Sequence, residues 1–518
     1  MTRAVLPNIA FGELLSAITV AEGAHDQIPV RAPYTGETVA SLPACRVEDV
    51  ERAMSLAREA QSEWAGANFG ERARVLLRFH DLLLDRQQEA LDIIQVETGK
   101  SRAHAFEEVL DTAAVARYYA RRAERLLRTR RRKGAIPLLT RTHESRVPIG
   151  VVGFITPWNF PLTLGITDVI PALLAGNAVG LKPDPHASFT ALWAVRLLRD
   201  CGLPRDVMGV VTGGPETGQA VVERADYVMF TGSNRAGRKI AAKAGERLIG
   251  CSLELGGKNP LIVLPDADLR AAAEGAVRAC FAGAGQVCVS VERIYAHGDV
   301  YEKFIPLLID RVKGIRLGAA FDYSMDVGSL TTEGQLSQVE AHVKDAVERG
   351  AVVLAGGRRR PDLGPLFFEP TILSGLRPGM KAFEEETFGP VAAVYSVASE
   401  EEAIAAANAT RYGLSASVWT GNARRGERFA RAIQAGSVNV NEGYAAAWGS
   451  VDAPIGGMKE SGLVPRHGAD GILKFTRSKT IATQRLMPIA ASRGIPQEFF
   501  SRWMTRLLRI LRHIPWLG

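Results

Sequence analysis

Cysteine is scarce in this chain, and what there is does not cluster. Its five thiols (Cys45, Cys201, Cys251, Cys280 and Cys288) are odd in number, widely spaced, and include no Cys-x-x-Cys pair. That excludes a disulfide framework and argues against a structural zinc site, so no metal is expected. A reducing, cytoplasmic setting follows. Long apolar runs are also missing: no run reaches the roughly 18 uncharged apolar residues that a membrane-spanning helix requires. The first 15 residues lack the charged lead, apolar stretch and cleavage site of a secretory signal. Nor is there an internal repeat or a low-complexity linker.

The positive charge is not spread out. The formal net charge is +7, and residues 121–133 account for all of it. Arg121, Arg122, Arg125, Arg128, Arg130, Arg131, Arg132 and Lys133 face only Glu124 there. A basic stripe can bind nucleic acid. This one contains no aromatic residue on which bases could stack. A solvated helix end or a subunit contact is expected instead, and no nucleic-acid partner.

At 518 residues the chain exceeds one small core, so two or three domains are expected. Its 47% hydrophobic and 23% charged content is that of an ordinary globular protein. Apolar residues recurring every three or four positions predict helices over 46–65, 70–99 and 103–128, with Gly99 as a stop. From residue 147 the rhythm changes. Short apolar runs at 149–155, 178–182, 207–212 and 227–231 alternate with helices at 163–175, 187–201, 217–224 and 235–248. Buried strands alternating with helices imply a parallel sheet covered on both faces, the doubly wound α/β architecture that binds dinucleotides. A second α/β unit runs from 258 to about 454.

The chemistry concentrates between residues 251 and 293. Glu254-Leu255-Gly256-Gly257-Lys258-Asn259-Pro260 sets a carboxylate beside two glycines, and Gly285-Gln286-Val287-Cys288 sets a thiol beside another. A thiolate attacks carbonyl carbon well once its proton is removed, and a carboxylate can accept that proton or later activate water. A lone cysteine in an Ala/Gly/Val run is more often a small buried hydrophobe; the pairing is what carries the functional reading.

Both segments resemble the signature motifs of the aldehyde dehydrogenase superfamily, and the likeness covers roughly residues 30–486. It implies a Rossmann-like cofactor domain (1–129 and 148–256), an α/β catalytic domain (257–455), and a protruding oligomerisation arm (130–147 with 478–487), with a homodimer or homotetramer as the assembly. It implies that Cys288 attacks an aldehyde, that the hemithioacetal gives hydride to a nicotinamide, and that Glu254 activates water to hydrolyse the thioester. Asn159, in Phe154-Ile155-Thr156-Pro157-Trp158-Asn159-Phe160-Pro161, would donate to the oxyanion together with the Cys288 amide. The glycine turn Phe230-Thr231-Gly232-Ser233, with Gly237 after it, is not a GxGxxG loop; the resemblance puts the pyrophosphate there. Lys182 would hold the adenosine ribose. Glu386 would hold the nicotinamide ribose and Phe388 would line the ring. Thr156, Pro157, Trp158, Asp184, Gly213 and Leu255 complete the implied cofactor surroundings. Members preferring NAD carry a glutamate three residues after the lysine; Pro185 stands there, so NADP is expected, with NAD still admissible.

The chain looks most like the family branch called NADP-dependent succinate-semialdehyde dehydrogenase, which implies succinate semialdehyde as substrate. Two arginines and a serine hold the substrate carboxylate in that activity. Their positions here are Thr167, Ala282 and Ser450, and Phe160, Val287 and Val289 complete the expected substrate lining. Only the serine matches, and a carboxylate without its charged partners is costly to bury. A neutral or apolar aldehyde of medium or long chain is therefore the alternative substrate. The alternative of another class, a non-catalytic scaffold or RNA binder using the basic patch, is opposed by the intact Cys288, Glu254, Asn159 and Lys182. Finally, residues 488–518 form a basic amphipathic tail: Phe499, Phe500, Trp503, Met504, Leu507, Leu508, Leu511 and Ile514 at helical spacing, with arginines between. Such a helix docks on protein or lies at an anionic membrane surface.

Overall fold

The computed structural model describes residues 5–135, 140–485, 489–491 and 494–513. The first four residues, the middle of the expected arm (136–139), its far end (486–487) and Ile514 lie outside them. A hairpin of β1 (Gln27–Arg31) and β2 (Thr38–Pro43) leads into the helices Val47–Gly66, Phe69–Asp85, Gln87–Thr98 and Arg102–Leu127. The single helix expected over 70–99 is two, parted at Arg86 (φ −103°, ψ 20°). Gly99 does end the second, at φ +73°, a left-handed cap that glycine adopts without a Cβ penalty. The strands β3 (Arg130–Arg132) and β4 (Thr140–Pro148) come next.

Five strands then form a parallel sheet: β5 (Val151–Thr156), β6 (Ala178–Pro183), β7 (Met208–Val210), β8 (Tyr227–Thr231) and β9 (Gly250–Glu254). Their spatial order is β9-β8-β5-β6-β7. The chain builds outward from β5 through β6 to β7, then returns to β8 on the other side. That reversal opens a crevice at the carboxyl ends of β5 and β8, where doubly wound sheets bind ligands. Helices on both faces explain the unbroken apolar runs: Val151, Val152, Phe154, Val179 and Leu181 are fully buried. Each such side chain contributes about 1.5–3 kcal/mol.

A second sheet holds β10 (Asn259–Val263), β11 (Val291–His297), β12 (Val352–Ala355), β13 (Thr371–Ser374), β14 (Val391–Val397), β15 (Ser415–Trp419) and β16 (Ser437–Val440), ordered β12-β13-β14-β11-β10-β15-β16. Only β12 runs antiparallel. The short β17 (Gly462–Leu463) returns to the first sheet and sets Gly462 opposite Glu254. β18 (Thr476–Gln484) pairs along the whole of β4, giving a three-stranded sheet in the order β18-β4-β3.

Two further expectations are corrected. The basic run is not one helix end: the helix stops at Leu127, and Arg130–Arg132 form the edge strand β3, where Arg132 pairs with Glu144 of β4. A row of arginines on an edge opposes further strand pairing. The helix expected over 163–175 is two short ones, Pro161–Ile166 and Val169–Leu174. Between them Asp168 is buried and held by Arg466 (2.7 Å) and Lys474 (3.0 Å). Among the described residues no helix is long and apolar enough to cross a membrane. The tail forms a helix, Gln497–Leu511, that buries none of its residues.

Candidate active site

Cys288 sits half-buried in the turn that follows the helix Leu269–Phe281. The approach is strained: Gly283, Ala284 and Gly285 all have positive φ, and Ala284 (φ 56°) is no glycine. Such conformations persist only where the surroundings fix them. Here the surroundings do. Asn259 Nδ2 donates to the Cys288 and Ser290 carbonyls (2.8 and 2.7 Å), and Ser290 Oγ donates back to Ala279 and Cys280 (3.1 Å each). A Cβ on Gly257 would lie 2.5 Å from the Cys288 carbonyl oxygen, so the Gly256-Gly257 turn must be bare to pass it. Burial pushes the Cys288 thiol up to about 12; the nearby Glu254 and Glu386 add to this, and Arg466 opposes it. The resting sulfur therefore carries its proton, which must leave before the sulfur attacks.

Glu254 ends β9, buried, with Oε1 lacking a hydrogen-bond partner among the described residues. Burial raises its carboxyl to about 7, against the pull of Arg466 and Lys474. A carboxylate poised there can accept a proton near neutral pH. Asn159 lies in the loop after β5. Its Nδ2 donates one hydrogen to the Gln286 carbonyl (2.8 Å) and has a second to offer. An ion pair absent from the sequence reading anchors that loop. Lys100 Nζ, fully enclosed, donates to Glu108 Oε1 and to the Asn159 carbonyl, both at 2.6 Å, and stands 3.7 Å over the Phe160 ring. The other Glu108 oxygen accepts the Leu162 and Thr163 amides at the start of the next helix. Lys100→Met should therefore lower stability by about 3–5 kcal/mol, because a buried carboxylate loses its cation. A fall in the urea midpoint checks this, and a loss below about 1 kcal/mol contradicts it.

Two cavities meet at the thiol. One, of about 260 Å³, is lined by Pro157, Trp158, Asn159, Thr231, Gly232, Ser233, Glu254, Leu255, Gly256, Cys288, Glu386 and Phe388. The other, of about 330 Å³, is lined by Asn159, Phe160, Val287, Cys288 and Val289, with Leu110, Asp111, Leu164, Tyr444 and Trp448 among the rest. Asn159, Leu164 and Cys288 border both. An aldehyde entering one chamber would meet the sulfur and the amide donor, with a planar acceptor on the far side.

The lining of the first cavity suits the nicotinamide half of a dinucleotide. It opens from the switch-point crevice. Ser233 caps the helix Asn234–Glu246, whose free N-terminal amides suit an anion. A side chain at Gly256 would collide with Glu386. Glu386 is steadied by the Gly257 amide (2.8 Å), and Glu292 accepts the Thr387 and Phe388 amides, fixing Phe388 at φ 51° against the Trp158 edge. Outside that cavity, on the same rim, lie Thr156, Lys182, Asp184 and Gly213, while Gly237 packs under Leu255. Lys182 is buried with no hydrogen-bond or ion-pair partner among the described residues, a cation left for a ligand oxygen. Asp184 is already committed, accepting from the His186 amide (3.0 Å) and ring (2.8 Å). Bound there, the nicotinamide supplies a hydride acceptor; Lys182, Ser233, Glu386 and Phe388 would hold it.

The structure places three residues expected on the substrate side away from the thiol cavity. Thr167 is buried behind the pocket, donating to the Thr163 carbonyl and accepting from Arg466. Ala282 faces a neighbouring cavity. Ser450 is exposed and bonded to the Ala446 carbonyl. All three were placed by position along the chain, and none borders the thiol cavity. What does border it, unforeseen, is one face of the helix Arg102–Leu127 (Glu107, Leu110, Asp111, Ala114) and Arg278. The spacing of three and four along that helix was a visible signal; its pocket was not.

The fold and this arrangement define a class: nicotinamide-dependent dehydrogenases that act on a carbonyl through an enzyme thiol. The chain belongs to the aldehyde dehydrogenase family, whose model matches residues 20–481. It is 47% identical over 507 residues (98% of each chain) to a Mycolicibacterium smegmatis protein with the provisional name succinate-semialdehyde dehydrogenase, NADP(+). It is 34% identical to a Schizosaccharomyces pombe succinate-semialdehyde dehydrogenase, NADP(+), across 90% of this chain and 93% of that one. Among solved structures, a Mycobacterium tuberculosis aldehyde dehydrogenase complexed with NAD+ superposes with a TM-score of 0.85 at 34% identity, across 91% of this chain and 96% of that one. The protein is an NAD(P)-dependent aldehyde dehydrogenase.

Proposed function

We propose that the protein oxidises succinate semialdehyde to succinate with NADP, through a thioester on Cys288 that Glu254-activated water hydrolyses. The observation that carries the reaction is that Cys288 and Asn159 border both cavities, with Glu254 on the cofactor side. The names of the relatives support the substrate and NADP. Pro185 supports NADP too: no carboxylate stands there to repel a 2′-phosphate.

A second reading has its own observation. The substrate chamber is walled by Leu110, Ala114, Phe160, Leu164, Val287, Val289 and Trp448, and it contains Glu107 and Asp111 with Arg278 as its cation. That wall favours a neutral, apolar aldehyde. One kinetic panel tests both readings. Succinate semialdehyde should give the higher kcat/KM with NADP; a much lower KM for hexanal and longer aldehydes moves the assignment to the apolar class, and a tenfold preference for NAD overturns the cofactor.

The division into a cofactor domain (1–129, 148–256), a catalytic domain (257–455) and an arm belongs to the same proposal, as does self-assembly through the arm. The tail helix leaves Phe499, Trp503, Leu508 and Ile510 exposed, a face for a second subunit or an anionic membrane. Sedimentation velocity and liposome flotation, on the full chain and on one ending at 487, separate these. The full chain should sediment as a dimer or larger, and a monomer removes the arm's role. Flotation lost with the tail assigns it to lipid; an assembly lost with the tail assigns it to a subunit contact.

A further inference from the structure

We propose that Arg466 is a positioning residue that keeps the Glu254 carboxylate ionised and aimed at water while the acyl group sits on Cys288. The inference rests on the thioester reading above, and it concerns a group that the reaction as described leaves unused.

Arg466 is 1% exposed, at the end of a strap (455–466) that contains β17 and leads to the helix Gly468–Leu473. Its backbone is fixed by reciprocal bonds with Ile455 (2.7 and 2.9 Å). One edge of the guanidinium is spent: Nη2 donates to Thr167 Oγ1 (2.6 Å) and to Asp168 Oδ2 (2.7 Å). The plane lies 4.9 Å from the Trp448 ring centre. The other edge is not spent. Nε and Nη1 are buried and have no hydrogen-bond partner among the described residues.

The unpaired acceptors are close by. Glu254 Oε1 is buried without a hydrogen-bond partner among the described residues, as are both nitrogens of His467. The strap itself closes on Glu254: Gly462 pairs with it across β9 and β17, and a Cβ on Gly456 would lie 3.6 Å from Glu254 Oε1 and 2.9 Å from Pro465. Buried donors and acceptors left in one enclosure are normally satisfied by each other or by ordered water.

The charges that bear on Glu254 come from four segments. Arg466 and Lys474 favour its anion and Asp168 disfavours it, while Glu254 and Cys288 disfavour each other's anions. Arg466 in turn feels Asp168, Glu254, Asp111 and Cys288, and adjoins His467, which burial and Arg466 hold neutral. Lys474 is committed to Asp168 at 3.0 Å. Arg466 is thus the cation with donors to spare. A guanidinium does not give up its proton, so it cannot replace Glu254 as base. It can only favour the anion that receives the proton of the attacking water.

The test follows decay of the acyl-enzyme after a single turnover, by quenching and intact-mass measurement, across the acid and neutral range. Arg466→Met should move the acid limb of the decay rate up by about one pH unit, with decay about tenfold slower below it. Arg466→Lys keeps a cation and should restore most of the shift. Asp168→Asn removes the opposing charge and should move the limb down. The single-turnover burst of NADPH should persist in all three. A thermal melt accompanies each variant; if Arg466→Met does not fold, the asparagine variant decides. A limb unmoved in Asp168→Asn, or in Arg466→Met where it folds, overturns the proposal. Glu254→Gln should show no acid limb at all. If it keeps one, the base itself is misassigned, a result distinct from failure at Arg466 alone.

Discussion

Cys288→Ala should abolish aldehyde-dependent NADPH formation, with a loss of about 10⁴-fold or more. Nucleotide binding should survive, since Lys182, Ser233 and Glu386 are untouched. The size of the effect follows from the absence of a substitute among the described residues. Cys280 is fully buried and Cys251 lies on β9, and burial raises both thiols. Neither borders the two cavities that meet at Cys288. Without the sulfur no hemithioacetal forms, and an aldehyde holds its hydride far more tightly than a tetrahedral oxyanion does. The wild-type thiol is protonated at rest, so aldehyde capture should quicken as pH rises from the acid side. Absorbance of the reduced cofactor reads the first effect, and an adduct at position 288 by mass spectrometry reads the intermediate. Turnover by the alanine variant within tenfold of wild type would remove the thiol from the mechanism.

Glu254→Gln should leave capture and hydride loss able to proceed once, then stall. The amide has the carboxylate's shape but cannot take a proton from water, so about one NADPH per site should appear in a burst. Steady turnover should then fall by about 10²–10⁴-fold. In the wild type the direction with pH is fixed by the raised value. Glu254 ionises only as pH climbs through about 7, so deacylation is lost below that and gained above it. The burst amplitude should not follow this profile. Steady turnover by the glutamine variant at nearly the wild-type rate would mean that another group activates the water.

The parts of the molecule legible from the chain are those set by local rules. The strands at 151–156, 178–183 and 227–231 announce themselves because a strand buried on both faces must be apolar throughout. Gly99 marks a helix end because a left-handed cap favours glycine. The pairing of Glu254 with Cys288 is legible because both sit beside glycines that let backbone pass closely, as Gly257 does against the Cys288 carbonyl.

Other features obey no local rule. The break between Ile166 and Val169 is made by Asp168, whose two cations lie some 300 positions away in the chain. Lys100 anchors the Asn159 loop, and nothing near either residue says so. Thr167, Ala282 and Ser450 were assigned to the substrate by their places in the chain, yet the thiol chamber is walled instead by Leu110, Asp111 and Arg278.

The amino-acid order by itself determined the α/β architecture and the family, and it pointed to the thiol, carboxylate and amide proposed for the reaction, because strand burial, glycine turns and reactive groups are written within a few neighbouring positions. Which side chains enclose the substrate, and which buried ion pairs steady the reacting groups, was decided only in three dimensions. Those depend on how helices and the 455–466 strap pack over the sheets, and a low-dielectric enclosure sets the charge on Glu254 and Cys288 through groups far away along the chain.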